Sequence, residues 1–280
     1  MKISNKMIQD YKNYLITEEK SEVTIEKYIR DINALQQWLD GRDITKQELL
    51  SYKAELVQEY APASVNSVIA SINGFLMFNN LYDLKIKSLK IQKQLFCQSE
   101  KELTKNEYER LLKAAKNKKN ERLYLIMQTI CSTGIRVSEL KYITCEAVSN
   151  RQTTVKLKGK IRTILLPKEL CKLLSKYIKE QNIKTGSVFI TRSGKPIDRS
   201  EIWRSMKALC ELAGVDRAKV FPHNLRHLFA RTYYALQKDI VRLADILGHS
   251  SINTTRIYTI ENGDVHRRQL QKLGLVRLIV

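Results

Sequence analysis

Three short stretches in the second half of this chain concentrate side chains suited to handling a phosphate. In STGIRVSEL, residues 132–140, Arg136 follows Gly134, and Glu139 lies three residues on, where a helical turn brings the two together. In FPHNLRHLFA, residues 221–230, Pro222 suits the first turn of a helix, and His223 and Arg226, three apart, project from one face near its positive end. A guanidinium fork, an imidazole and a helix dipole together make an anion site. In DILGHSSINTTRIYT, residues 245–259, Gly248 ends one helix and Ser250 or Ser251 caps the next. His249 falls on the corner, and Tyr258 follows about two turns into the second helix. The chain has 13 tyrosines, most of which should serve as packing residues; Tyr258 alone lies near so dense a run of His and Arg.

This set fits phosphoryl transfer without a metal. In-line displacement at a phosphodiester builds charge on the non-bridging oxygens, which two bidentate arginines, Arg136 and Arg226, can neutralise. A tyrosine hydroxyl, with a pKa of about 10 in isolation, becomes a nucleophile if cations favour its phenolate or a base takes its proton. Lys158 or Lys160, on a basic hairpin, can protonate the leaving alcohol. The aryl phosphate so formed conserves bond energy, so the strand can be resealed without ATP; no Walker-type glycine loop occurs. Blander readings exist for each part. Arg136 and Glu139 make an ordinary surface ion pair, and His223 a helix cap. His223 and His227, at i and i+4, have the spacing of a zinc pair, but Asn224 stands where the glutamate base of such sites is usual. Neither a metal nor any other cofactor is expected.

The elements that must hold these groups can be read from periodicity. Residues 1–84 read as helices alone: Tyr28, Ile32, Leu35 and Leu39 share one face after Ser21, Thr45 and Glu48 have capping-box spacing, and Pro62 opens a helix through Val65, Ile69, Ile72 and Leu76. Residues 85–101 lose periodicity and carry Lys85, Lys87, Lys90 and Lys93, which makes them a basic interdomain linker, either a solvated tether or a phosphate contact. From 102 onward, Thr104 and Glu107 form a capping box and helices run to about Tyr142. TTVKLKGKIRTILLP reads as a hairpin of Thr153–Lys158 and Lys160–Leu166 about Gly159, SVFIT as a short added strand, and the rest as helix.

The length of 280 residues suits two domains, and 49 Lys and Arg against 29 Asp and Glu, a formal charge of +20, point to a polyanionic partner. The five cysteines, Cys97, Cys131, Cys145, Cys171 and Cys210, are scattered and odd in number, as reduced thiols of a cytosolic protein are. No secretory leader and no long apolar run is present, so a cytoplasmic protein without a membrane partner is expected.

TGIRVSEL, HNLRHLFA and LGHSSINTTRIYT, in this order, resemble the tyrosine recombinase family of phage integrases and Xer-type resolvases. The likeness is specific over about 102–262 and weaker over 1–84. It implies a mainly α fold with a small antiparallel β-sheet in the catalytic domain, forming a two-domain DNA clamp. Residues 1–84 would be the helical, SAM-like core-binding domain, and 102–280 the catalytic domain with its C-terminal helix. The implied activity is site-specific recombination: Arg136 and Arg226 bind the scissile phosphate, and Tyr258 attacks it to leave a 3′-phosphotyrosine. His223 assists as acid or base, His249 hydrogen-bonds the phosphate, and Lys158, with Lys160 as the alternative, is the general acid. Glu139 is structural support. The implied partner is double-stranded DNA carrying specific sites, bound by a homotetramer in the synaptic complex and resolved through a Holliday junction, with residues 266–276 docking on a neighbour or on their own domain. Because the helical bundle begins at once, the expectation is a simple recombinase, Xer-like or the integrase of a small mobile element. The rival readings are a DNA-binding protein that keeps the fold without chemistry, and a type IB topoisomerase.

Overall fold

The computed structural model describes residues 1–91, 101–157, 160–258 and 271–273. The chain divides into two compact units, Met1–Lys93 and Gln94–Val280.

The first unit is built of four helices, α1 (Asn5–Thr17), α2 (Glu22–Leu39), α3 (Lys46–Glu59) and α4 (Pro62–Phe78). Apolar residues at helical spacing supply its core: Ile32, Leu35 and Leu39 of α2 meet Ile69, Ile72 and Leu76 of α4, and all are buried. Pro62 opens α4 as expected, whereas the Thr45 capping box is half made. Thr45 accepts from the Glu48 backbone, but the Glu48 carboxylate turns to Arg42 at 2.6 Å, because a charged partner is the stronger one. The buried Asp31 is answered by Lys27 at 2.7 Å and Ser71 at 2.8 Å.

The first part of the basic linker is no free tether. Asn73 bonds both the N–H and the carbonyl of Ile86, and Asn66 does the same for Leu89. Ile86 is thereby buried while Lys85, Lys87 and Lys90 face outward. The remainder of the linker, with Lys93 and Cys97, lies outside the described residues.

The second unit carries α5 (Lys105–Asn117), α6 (Glu121–Thr133), α7 (Cys145–Asn150), β1 (Gln152–Leu157), β2 (Lys160–Leu165), α8 (Lys168–Glu180), α9 (Arg199–Lys207), α10 (Cys210–Ala213), α11 (Pro222–Gln237), α12 (Ile240–Leu247) and α13 (Ile252–Thr255). Thr104 and Glu107 complete both bonds of a capping box at α5. The two strands pair antiparallel, with Val155 opposite Arg162 and Thr153 opposite Ile164. Partners share a face, so Arg162 points to the same side as the buried Val155 and Ile164, while Ile161 and Leu165 face solvent. SVFIT adds no third strand among the described residues; Ser187 and Ile190 make only isolated bridges, to Thr144 and Pro196. Cys131, Cys145, Cys171 and Cys210 are free thiols. Among the described residues no helix is long and apolar enough to cross a membrane.

Candidate active site

The site begins where α6 stops. Gly134 closes that helix at φ +65°, and a Cβ added there would fall 2.4 Å from the Phe229 ring, so backbone and packing both require glycine. The helices do not run on to Tyr142 unbroken: Arg136 caps a 3₁₀ turn, Val137–Tyr142. Glu139, fully buried, accepts the Arg136 backbone N–H at 2.7 Å and its Nη1 at 3.1 Å. The other claimant on Glu139 is Arg162, whose Nη2 bonds Oε2 and whose Nη1 donates to the Ile246 carbonyl at 2.6 Å. The supposed surface pair is thus a buried carboxylate shared by two arginines.

Pro222 at the first turn of α11 leaves His223 and Arg226 on one face. Arg226 is only 1% exposed, and both its Nη groups are turned onto acceptors, while Nε finds none among the described residues. Nη1 bonds the Gly134 carbonyl; Nη2 meets the Leu247 carbonyl at 2.7 Å and His249 Nε2 at 3.0 Å. Gly248, at φ +64°, ends α12 and puts His249 on the corner. The other imidazole nitrogen of His249, Nδ1, lies 2.8 Å from Thr255 Oγ1.

Tyr258 does not sit two turns into a regular helix. After Ser251, which is the residue that caps it, α13 lasts four residues and gives way to a 3₁₀ turn, Arg256–Tyr258. Thr255, wholly buried, turns its hydroxyl to His249 at this break. The Tyr258 ring packs with Ala230, Leu243 and Leu247 and is only 5% exposed. His227 stands edge-on to it, centroids 4.9 Å apart at 81°, and His249 lies nearly parallel at 6.1 Å. A cleft of about 410 Å³ opens over Arg136, His223 and Arg226, walled by Trp203 and Phe221.

Burial dominates the electrostatics. It lowers the pKa of Arg226 to about 10, with the charge of Arg136 adding to the effect. Burial and the surrounding arginines bring His249 from its usual 6.5 to about 4, and burial with His223 and Arg226 does the same to His227. His223 is lowered too, by burial first and then by Arg226 and Arg136, so it is neutral near pH 7. Burial also raises the Tyr258 hydroxyl, and Arg226 and Arg136 offset this only in part. The hydroxyl is therefore a protonated phenol near pH 7. His223 and His227 rings lie 4.5 Å apart, yet among the described residues no three His, Cys, Asp or Glu are grouped to hold a metal.

The structure brings Arg136, His223, Arg226, His249 and Tyr258 into one region. Lys158 lies outside the described residues; Lys160 begins β2. Residues 266–276 also lie outside them, except 271–273. Three neighbours escaped the sequence reading. Arg162 was signalled by strand alternation, which places it on the same face as Ile164. His227 carried a signal only as a supposed zinc ligand, and Thr255 none, since a threonine three residues before a tyrosine is unremarked until the turn folds.

Residues 101–263 match the phage integrase family, and residues 8–80 match the phage integrase N-terminal SAM-like domain. The chain belongs to the phage integrase family. It is 28% identical to tyrosine recombinase XerA of Pyrococcus furiosus, over 99% of this chain and 97% of the relative. It is 30% identical to tyrosine recombinase XerD of Xanthomonas axonopodis pv. citri, over 89% of each. A lambda integrase dimer bound to a COC′ core site has the same fold, with a TM-score of 0.75 at 18% identity, over 93% of this chain and 96% of that one. The activity is that of a site-specific tyrosine recombinase, which binds DNA and cleaves and rejoins its strands through a covalent phosphotyrosine.

Proposed function

We propose that Tyr258 is the nucleophile of this recombinase and that Arg136 and Arg226 hold the scissile phosphate. The observation that carries the reading is the placement of Arg226: it is anchored at the end of α6 beside Arg136, at the end of α12, and on His249, and it lies next to the buried Tyr258. The phenolic oxygen attacks phosphorus in line, the P–O5′ bond breaks, and a 3′-phosphotyrosine forms. Two guanidiniums balance the charge that accumulates on the non-bridging oxygens. His223, neutral near pH 7, serves as the acid–base group for the phenolic proton, and His249 hydrogen-bonds the phosphate. Lys158, or Lys160 as the alternative, protonates the departing 5′ oxygen.

Residues 1–84 serve as the core-binding DNA domain, 85–101 as the linker and 102–280 as the catalytic domain. The biological setting is the cytoplasm. The substrate is double-stranded DNA with specific recombination sites, and four protomers exchange strands through a Holliday junction. The test is incubation with nicked duplex carrying the recognition sequence, followed by denaturing electrophoresis. A covalent adduct that disappears in Tyr258→Phe is the expected result. An adduct that survives the substitution overturns the assignment.

A further inference from the structure

Arg226, His249 and Thr255 form a chain whose hydrogen positions are fixed by elementary donor counting. Nη2 of Arg226 lies 3.0 Å from His249 Nε2, and a guanidinium can only donate. Nε2 therefore carries a lone pair and no hydrogen. The neutral imidazole must then bear its hydrogen on Nδ1, which lies 2.8 Å from Thr255 Oγ1, so the threonine oxygen accepts. Thr255 is fully buried, and its Oγ1 is the protein group that receives this hydrogen. Free histidine prefers the opposite tautomer, with hydrogen on Nε2.

We propose that Thr255 is a positioning residue for the recombination reaction: its hydroxyl holds the His249 ring in place, accepting from Nδ1 while Nε2 accepts from Arg226, and donating to Nδ1 once Nε2 turns a hydrogen to the phosphate. The proposal rests on the assignment of Arg226 and His249 to the phosphate site. Nη2 has two hydrogens, and both are engaged, one by the Leu247 carbonyl and one by His249. A phosphate oxygen can reach Nη2 only by displacing one of these acceptors. The Leu247 carbonyl is fixed in the last residue of α12, whereas His249 is on the corner and can yield. The same threonine stands three residues before Tyr258, so the turn that delivers the nucleophile also delivers the oxygen that orients the histidine. When the phosphate arrives, Nε2 must carry the hydrogen to bond it; the imidazole exchanges its Nδ1 hydrogen for one on Nε2, and the Thr255 hydroxyl, able to accept or to donate, then donates to Nδ1.

The test compares Thr255→Val, which keeps the shape and removes the acceptor oxygen, with Thr255→Ser, which keeps the oxygen. Nitrogen-15 spectra of the full-length protein, with the His249 signals identified by their loss in His249→Gln, report the tautomer directly. The expected result is hydrogen on Nδ1 in the wild type and Thr255→Ser, and a shift toward Nε2 in Thr255→Val. Single-turnover adduct formation should fall about 10- to 100-fold in Thr255→Val, as is usual when the orienting partner of a functional histidine is removed. Thr255→Ser should restore most of it. Hydrogen on Nε2 in the wild type overturns the proposal, as does a Thr255→Val protein with unchanged tautomer and rate. Because the spectra need no DNA, they judge the tautomer separately from the Tyr258 adduct, which judges the assignment of the nucleophile.

Discussion

Arg162 and Glu139 form a buried ion pair that ties strand β2 to the turn bearing Arg136. The same carboxylate takes the backbone N–H and the guanidinium of Arg136, so one side chain sets the position of a catalytic candidate and of the hairpin's inward face.

Removing the charge from that carboxylate should be costly. In Glu139→Gln, two cations lose their shared anion in a site with side-chain exposure of 1% at Glu139 and 12% at Arg162. Breaking such a pair from one side costs about 3 kcal/mol, which denaturant unfolding would read as a lower midpoint. Adduct formation should fall as well. An unchanged midpoint would mean that Glu139 is not the keystone of this corner.

Arg226→Ala should abolish cleavage and leave most DNA binding intact, since a chain of net charge +20 retains many phosphate contacts. The structure adds a stability cost. The Gly134 and Leu247 carbonyls lose their donor, which amounts to about 2 kcal/mol. Binding assays and thermal unfolding measured side by side separate the two effects.

Gly134→Ala should destabilise without touching a reactive group. It imposes a side chain at φ +65° and drives Cβ to 2.4 Å from the Phe229 ring. The backbone strain and forced repacking together should cost about 2 kcal/mol, read as a lower melting temperature. A wild-type melting temperature would contradict the close approach.

The protein should lose stability in acid through its histidines. His227 and His249 have native pKa values near 4 and an ordinary value of 6.5 when unfolded. Between those limits the unfolded chain binds more protons than the native one, so stability rises with pH across the window. Their contribution is complete above about pH 6.5 and is lost as pH falls toward 4. Melting temperatures measured from pH 7 to 4 should decline, and His249→Gln should flatten part of that slope. A slope unchanged in His249→Gln would remove this residue from the account.

Much of this was legible in the sequence because the signals are local. Pro62, Pro222, Gly134, Gly248 and the Thr104–Glu107 box act within a few residues of themselves, and each did what its chemistry dictates. The boxes around Arg136, Arg226 and Tyr258 were visible for the same reason. What was not legible depends on partners far along the chain. Glu48 left its box for Arg42, SVFIT found only isolated bridges, and α13 ended after four residues where Thr255 turned to His249. The linker showed only its lysines, yet Asn66 and Asn73 had already claimed its backbone. Arg162 was the recoverable omission, since alternation alone puts it on the inner face.

The anchoring of Arg226 by carbonyls has a consequence for the charge of the whole pocket. Those oxygens belong to Leu247, the last residue of α12, and to Gly134, just past the end of α6, where helix dipoles are negative. They solvate the cation without neutralising it, and among the described residues Arg226 pairs with no carboxylate. Arg136 and Arg162 divide one between them. Among the described residues three positive groups thus stand against a single negative one, and the proposed function brings the charge of a phosphodiester to that place. On that proposal the pocket is built incomplete, and DNA is its missing counterion.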